Sequence, residues 1–259
     1  MTPYWLSAVL DFPPDDFERG VAHWEAVTGY ARSAPRGETD QFATLVPAGG
    51  DDFLRVQRLD EGPSRIHLDV HVDDPVAAVG DVTGLGAKVL ATHEGYVLLS
   101  SPGGLAFCLV PHRPSIRPVP TNWPGGFTSL VDQVCIDIPS PIHDSEIAFW
   151  QALTGWELRR SAERTEFSNL LRPPGMPLRL LLQRVDESDG RVSAHLDLST
   201  SDRARETERQ VALGAELVER FEHWTVMRDP VGSTYCITDR SPETGLLPRI
   251  SVVEPVETP

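Results

Sequence analysis

Residues Phe17–Tyr30, which read FERGVAHWEAVTGY, return in altered form as Asp144–Trp156, which read DSEIAFWQALTGW. Trp24 in the first stretch corresponds to Trp150 in the second, and the separation between matching residues stays nearly constant along the chain. Further matching pairs are Gln57-Arg58 with Gln183-Arg184, His67-Leu68-Asp69 with His195-Leu196-Asp197, Leu85-Gly86-Ala87 with Leu213-Gly214-Ala215, and Cys108 with Cys236. This pattern indicates a tandem duplication and predicts two similar domains.

The length and composition of the chain suit two globular domains. The chain has 259 residues, of which 40% are hydrophobic, so each half is long enough to bury its own core. We predict a first domain over residues 1–112, a linker rich in proline and glycine over 113–129, a second domain over 130–240 and a tail over 241–259. We expect no helix or strand in the linker, and we expect the tail to be loosely held.

The charge and the cysteine content limit the partners and the location of the protein. The formal net charge is −15, which disfavours nucleic acid and anionic membranes because both attract basic proteins. The N-terminal residues lack the pattern of a signal peptide, and no apolar stretch is long enough to span a bilayer, so we expect a cytoplasmic protein. Cys108, Cys135 and Cys236 are too few for a disulfide framework, and we expect Cys108 and Cys236 to be small buried residues.

Four helices are predicted from apolar spacing and from capping residues. In the first helix, Phe17, Val21 and Trp24 recur at helical spacing and therefore share one face. The predicted starts are Asp15 or Asp16, Asp74, Asp144 or Ser145, and Ser201, and the predicted ends are Gly29, Gly84 or Gly86, Gly155 and Gly214. The fourth helix carries many charged residues, which we expect to face solvent.

Strands are predicted before and after each helix. Those expected before the helices cover 5–12, 65–72, 132–138 and 192–199, and those expected after the fourth helix cover 215–219, 224–228 and 234–238. Each quarter of the chain therefore follows the order strand, helix and three strands, abbreviated βαβββ. Four such units make up the chain.

These features resemble the vicinal oxygen chelate superfamily, which includes glyoxalase I, bleomycin-resistance proteins and extradiol dioxygenases. The resemblance rests on the aromatic pair Phe149-Trp150 followed by Leu153–Trp156, on His195–Leu198 and on Asp229–Cys236. It implies an α+β fold with two tandem glyoxalase-like domains, each made of two βαβββ units that form a curved mixed sheet around a cleft. It does not imply one function, because this superfamily contains several kinds of enzyme and also binding proteins.

The resemblance also implies a metal site in the cleft. Enzymes of the superfamily bind a divalent metal through His, Gln or Glu side chains of paired units, and the metal acts as a Lewis acid. The corresponding positions are Gln133, Leu181, His195 and Thr234 in the second half, and Ser7, Arg55, His67 and Ala106 in the first. Of the four positions in the second half, only Gln133 and His195 have side chains that can bind a metal. In the first half, Arg55 would place a cation at the metal position, which repulsion between like charges opposes. The resemblance thus predicts a degraded site, since catalytic metals commonly keep three protein ligands.

The histidines on the strands leave alternatives open. One strand face carries His67, Asp69 and His71, because every second residue of a strand points to the same side. These side chains would either bind zinc or form a polar surface that is hydrogen-bonded within the cleft. His195 is either a general base whose tautomer Asp197 fixes, or a half-buried histidine satisfied by its neighbours. We retain His195 and Asp197 as candidate catalytic residues.

Further side chains are candidates for contact with a small molecule. Trp224 and Tyr235 would either stack on a ring or pack in the core, and Arg179 and Gln183 would bind an anionic group. The candidate ligand-binding residues are Gln133, Arg179, Gln183, Trp224, Thr234 and Tyr235 in the second half, and Arg55 and His67 in the first.

Three functions are compatible with these features. The first is a protein that binds a small molecule without a cofactor, with the second cleft as the better candidate because it keeps more polar side chains. The second is a metal-dependent lyase, isomerase or dioxygenase of glyoxalase type that uses zinc, nickel, manganese or iron, because a shift of strand register by one residue would change the faces assigned above. The third is a structural or regulatory protein with vestigial clefts. The tandem arrangement suits a monomer or a homodimer.

Overall fold

The computed structural model describes residues 3–186 and 190–247. In these ranges the chain forms two mixed sheets, and helices pack against each of them. The helices are α1 Pro14–Thr28, α2 Pro75–Gly84, α3 His143–Thr154 and α4 Arg203–Ala212. None of these described helices is long and apolar enough to cross a membrane.

The two sheets have the same topology. The strands of the first are β1 Trp5–Phe12, β2 Ala31–Arg32, β3 Phe42–Val46, β4 Leu54–Arg58, β5 Arg65–His71, β6 Lys88–His93, β7 Tyr96–Ser100 and β8 Ala106–Val110. The strands of the second are β9 Thr121–Trp123, β10 Phe127–Pro139, β11 Glu157–Arg160, β12 Phe167–Leu171, β13 Arg179–Val185, β14 Ser193–Thr200, β15 Glu216–Arg220, β16 Trp224–Arg228 and β17 Thr234–Thr238. The first sheet has the order β2-β3-β4-β1-β5-β8-β7-β6, and the second repeats it as β11-β12-β13-β10-β14-β17-β16-β15. The predicted α+β fold with two tandem domains is confirmed.

The centre of each sheet joins two βαβββ units. In domain 1, β1 runs parallel to β4 and β5 runs parallel to β8, whereas β1 and β5 are antiparallel to each other. Because side chains alternate along a strand, Leu6, Ala8 and Leu10 pack in the core while Ser7 and Asp11 face the cleft. The equivalent strands of domain 2 place their polar residues in the same way.

The helix ends agree with the sequence better than the helix starts. Gly29 and Gly155 end α1 and α3 with φ of 72° and 67°, the left-handed conformation that glycine adopts without strain. The starts predicted at Asp15 or Asp16, at Asp144 or Ser145 and at Ser201 are wrong, because the residues before α1, α3 and α4 are Pro13, Ile142 and Asp202. A short 3₁₀ turn, Ser140–Ile142, leads directly into α3 and replaces a side-chain cap there.

The predicted cap at Asp74 is confirmed and can be tested. Its carboxylate accepts hydrogen bonds from the backbone N–H groups of Val76 and Ala77, both at 3.0 Å. We expect Asp74→Ala to lower the free energy of unfolding by about 1 kcal/mol, because two N–H groups of α2 lose their partner. Chemical denaturation measures the change. The matched control is Asp73→Ala, which removes only an exposed ion pair with Arg113, and an equal loss in both variants would contradict the capping role.

The stretch 113–129 contains strands, contrary to the expectation from its composition. β9 pairs with the first residues of β10 through a tight turn at Gly125 and Gly126, whose φ angles are 99° and 81°. The Arg209 guanidinium lies 3.6 Å from the centre of the Trp123 ring and fixes this hairpin to α4. The glycine pair that suggested a linker makes the turn of the hairpin.

The tail begins as an ordered segment. Residues 241–247, called the C-terminal strap below, fold into a turn in which the Ser241 N–H donates to the Leu246 carbonyl at 2.8 Å. The expectation of a loosely held tail is therefore wrong for the strap. Residues 248–259 lie outside the described residues.

The two domains pack on each other reciprocally. Trp24 of α1 lies 5.2 Å from the ring of Tyr235 on β17, and Trp150 of α3 lies 5.7 Å from the ring of Phe107 on β8. The first helix of each domain therefore covers the last strand of the other. This arrangement has the symmetry of a twofold dimer within one chain.

Candidate functional site

A buried cluster surrounds His195 on the concave face of the second sheet. Its Nδ1 lies 2.8 Å from Asp137 Oδ2, and its Nε2 lies 3.3 Å from Asp197 Oδ1 and 3.7 Å from Cys236 Sγ. In the parallel register of β14 and β17, Cys236 stands beside Asp197. The position that completes the cluster is therefore Cys236 and not Thr234, which is exposed at the rim of the cleft.

Domain 1 contains the same four residue types at the equivalent positions. His67 Nδ1 lies 2.9 Å from Asp11 Oδ2, and its Nε2 lies 3.8 Å from Asp69 Oδ1. Cys108 pairs with Asp69 in the register of β5 and β8. Asp11 and its counterpart Asp137 are not among the residues predicted from the sequence, and the cysteines are predicted only as packing residues. The signal in the sequence is that the same residue types, Asp, His, Asp and Cys, occupy the equivalent positions of both halves.

The surroundings of His195 favour its charged form. Burial opposes a charge there, but the Cys135 sulfur and the carboxylates of Asp137 and Asp197 outweigh it and hold the pKa of His195 well above its ordinary value. Burial likewise raises the pKa of Asp197, yet His195 and Arg240 lower it overall. Asp137, and not Asp197, is the residue that orients Nδ1.

The divalent metal implied by the superfamily can be tested against these contacts. His195 Nε2, Asp197 Oδ1 and Cys236 Sγ all lie within 4.8 Å of one another, which is compact enough for a metal. However, the other Asp197 oxygen accepts from Gln133 at 2.5 Å and lies 3.8 Å from Arg240 Nη1. Burial also raises the pKa of Cys236. Because Asp197 is already held by Gln133 and the nearby Arg240 guanidinium would repel a cation, the residues present do not fit a divalent metal.

A buried ion pair closes the floor of the same cleft. Arg240 Nη2 lies 2.6 Å from Asp132 Oδ1, and both side chains are almost fully buried. Asp132 stands at a β-bulge of β10, where the pairing register with β14 shifts between Val131 and Gln133. Bulges re-aim side chains, and this one brings a carboxylate to Arg240.

The cleft of domain 2 encloses a cavity of about 440 Å³ with a polar side and an aromatic side. Trp224 lies 5.9 Å from Phe167 in an edge-on arrangement, stacks on Phe221 at 4.6 Å and has the Arg164 guanidinium 4.9 Å from its ring centre. Gln183 also lines the wall. An outer cavity of about 720 Å³ shares several of these residues and reaches towards domain 1. Both volumes fall within the range of small-molecule sites.

The cleft of domain 1 is narrower because its own side chains fill it. Arg55 Nη1 lies 2.6 Å from Asp69 Oδ2, and the Ser7 hydroxyl lies 2.9 Å from His71 Nε2. The predicted zinc pair of His67 and His71 is not brought together, because each histidine has a different partner. Burial, followed by the charge of Arg55, lowers the pKa of His71 to about 4. A cavity of about 320 Å³ lies at the mouth.

The other predicted site residues are divided between the cleft and the core. Tyr235 is fully buried, and its hydroxyl donates to Gln210 Oε1 at 2.5 Å, so its prediction as a ligand contact is wrong. Arg55 and His67 are buried in ion pairs of domain 1, and Arg55 also lines the cavity at the mouth of that cleft. The predicted residues that line the cavity of domain 2 are Gln133, Arg179, Gln183, His195, Asp197 and Trp224.

The fold and the paired clefts define a two-domain protein of the vicinal oxygen chelate superfamily. The chain belongs to a glyoxalase-like domain family, whose model matches it twice, over residues 7–110 and 133–238. Among curated proteins, no sequence matches the chain.

Solved structures show the same fold at low sequence identity. A variant of 4-hydroxymandelate synthase from Streptomyces coelicolor is 16% identical, with a TM-score of 0.62 and 92% of each chain covered. The 2,2',3-trihydroxybiphenyl 1,2-dioxygenase of Sphingomonas wittichii is 14% identical, with a TM-score of 0.61 over 92% of this chain and 90% of its own. A Mn(II)-bound glyoxalase from Novosphingobium aromaticivorans is 18% identical, with a TM-score of 0.60 over 90% of this chain and 80% of its own. At these identities the likeness concerns the fold.

Proposed function

We propose that the protein binds a small organic molecule in the cleft of domain 2 and holds no resident metal there. One observation carries the proposal: the carboxylates on the cleft floor are already paired with cationic side chains. His195 lies between Asp137 and Asp197, and Arg240 pairs with Asp132. These pairs engage the carboxylates of the cleft floor and leave a cavity beside them.

The shape and lining of the cavity support a small organic ligand. Its aromatic wall, formed by Phe167 and Trp224, offers apolar area, while Gln183 and Arg179 offer hydrogen bonds. In domain 1 the pair of Arg55 and Asp69 occupies the cleft, and the cavity at its mouth is smaller, at about 320 Å³. Domain 2 is therefore the ligand-binding half of the proposed function.

The setting of the protein is part of the same proposal. We expect a cytoplasmic protein that does not bind nucleic acid, because its charge of −15 repels phosphate backbones. The reciprocal packing of the two domains supports a monomer, and a homodimer is the alternative.

Metal analysis tests the proposal directly. Protein purified without chelator is expected to contain far less than one equivalent of zinc, nickel, manganese or iron by mass spectrometry. Stoichiometric metal that His195→Ala removes would overturn the metal-free site and favour a glyoxalase-type lyase, isomerase or dioxygenase. The ligand cleft itself is tested by the rise in melting temperature that bound compounds produce, because a ligand bound only to the folded state stabilises it.

A further inference from the structure

The cleft of domain 2 has an excess of positive charge at one end, although the whole chain is acidic. The arginine cluster consists of Arg117, Arg172, Arg179 and Arg240, which lie together beside the strap. Arg240 pairs with Asp132, but no carboxylate oxygen of the described residues lies within 4.0 Å of the other three guanidinium groups. Four cations thus share two nearby carboxylates, Asp132 and Asp197.

Backbone carbonyl groups take the place of anions on this cluster. Arg117 donates to the carbonyl oxygens of Pro242 and Glu243 at 3.0 and 2.9 Å, and Arg179 donates to that of Gly245. A carbonyl oxygen carries only a partial charge, so these contacts satisfy hydrogen bonds without neutralising the arginines. The buried Nε groups of Arg117 and Arg240 still lack an acceptor among the described residues.

The pKa values of Arg172 and Arg179 reflect their burial and the positive charges beside them. Burial, followed by the charge of Arg117, lowers the pKa of Arg172 to about 10. Burial, followed by the charge of Arg240, also lowers the pKa of Arg179. An anion placed among these groups would relieve their repulsion and satisfy their free donors.

The strap makes its closest approach to the cluster at a glycine. Gly245 has a φ of 70°, and a Cβ at this position would lie 3.1 Å from Arg179 Nη1 and 3.1 Å from Asp132 Oδ2. The positive φ favours glycine at this position, and a side chain here would crowd the charged groups around it. Leu246 and Leu247 of the strap also line the cavity, so the strap covers the ligand space that Arg179 and Trp224 share.

We propose that the cleft of domain 2 binds a small aromatic carboxylate and that the strap competes with it. The carboxylate takes the place of the Gly245 carbonyl on Arg179, and the ring lies against Trp224 and Phe167. No covalent bond is made or broken. The inference rests on the proposed function, since it names the ligand class of the same cleft.

The probe for this inference is 2-naphthoate, compared with neutral 2-naphthamide and the saturated decahydro-2-naphthoate. Isothermal titration of the full chain is expected to show binding of 2-naphthoate at least about tenfold tighter than binding of either analogue, because the amide lacks the charge and the saturated acid lacks the ring. Arg179→Gln is expected to weaken 2-naphthoate at least about tenfold, since it removes a charge-assisted bidentate contact. The matched control, Arg159→Gln, changes an exposed arginine of β11 and should leave the affinity unaltered.

Gly245→Val tests the competition by the strap. The added side chain prevents the close approach of the strap, so 2-naphthoate is expected to bind more tightly than to the unmodified chain. Unchanged or weaker binding would show that the strap does not compete. Equal affinities for the acid and the amide, unaffected by Arg179→Gln, would overturn the choice of a carboxylate while leaving the proposed function intact. If neither the two naphthyl probes nor a wider set of neutral compounds stabilised the protein, both the inference and the proposed function would fail.

Discussion

Arg240→Ala is expected to lower the free energy of unfolding by about 3–5 kcal/mol, the usual cost of breaking a buried ion pair from one side. The Asp132 side chain is fully buried with Arg240 Nη2 2.6 Å from its Oδ1, and Asp197 lies 3.8 Å from the other terminal nitrogen. Burial alone would lower the pKa of Arg240, but Asp132 and then Asp197 raise it, which keeps the guanidinium charged. Without it, the Asp132 carboxylate remains buried without its ion-pair partner.

Chemical denaturation of the variant and of Arg228→Ala would test this expectation. Arg228 forms an ion pair of 2.9 Å with Glu216, but both side chains are exposed, so its loss should cost less than about 1 kcal/mol. The double variant Asp132→Asn with Arg240→Ala should recover part of the stability, because it removes the unpaired charge. A small effect of Arg240→Ala, similar to that of Arg228→Ala, would contradict the structural role of the pair.

The architecture could be predicted from the sequence because local patterns and the repeat agree with each other. The alternation of apolar and polar residues gives the bounds of β1, Trp5–Phe12, as the structure has them. Gly29 and Gly155 mark the helix ends because glycine is the residue type that adopts the left-handed conformation without strain. These signals involve only a few neighbouring residues, so they can be recognised in the sequence without knowledge of the tertiary contacts.

The site could be predicted only in part, because its contacts depend on strand register and on a bulge. His195 was found from its strand, but Asp137 reaches it from β10 through a pairing that places Cys135 opposite His195. Thr234 was chosen in place of Cys236 for the same reason, since an offset of two residues along a strand preserves the face. The bulge that turns Asp132 towards Arg240 leaves no trace in the alternation of residues.

Trp24→Ala is expected to lower the free energy of unfolding by about 3–5 kcal/mol, as large aromatic truncations in cores do, and to affect both domains together. Trp24 belongs to domain 1, yet its ring packs on Tyr235 and its Nε1 donates to Asp229 Oδ2 at 3.2 Å, both in domain 2. Burial already raises the pKa of Asp229, so loss of the indole N–H leaves a buried carboxylate with fewer donors.

The control for this variant is Trp224→Ala, which removes the same kind of side chain from the cleft. Because Trp224 is half-buried beside a cavity, its loss should cost less stability, while it should weaken any aromatic ligand of domain 2. Calorimetry of Trp24→Ala should show one transition at a lower temperature, because the reciprocal helix contacts join the two cores. Separate transitions, with domain 2 melting as in the unmodified chain, would mean that the domains fold independently. In that case the cleft of domain 2 would be stable without its interface with domain 1.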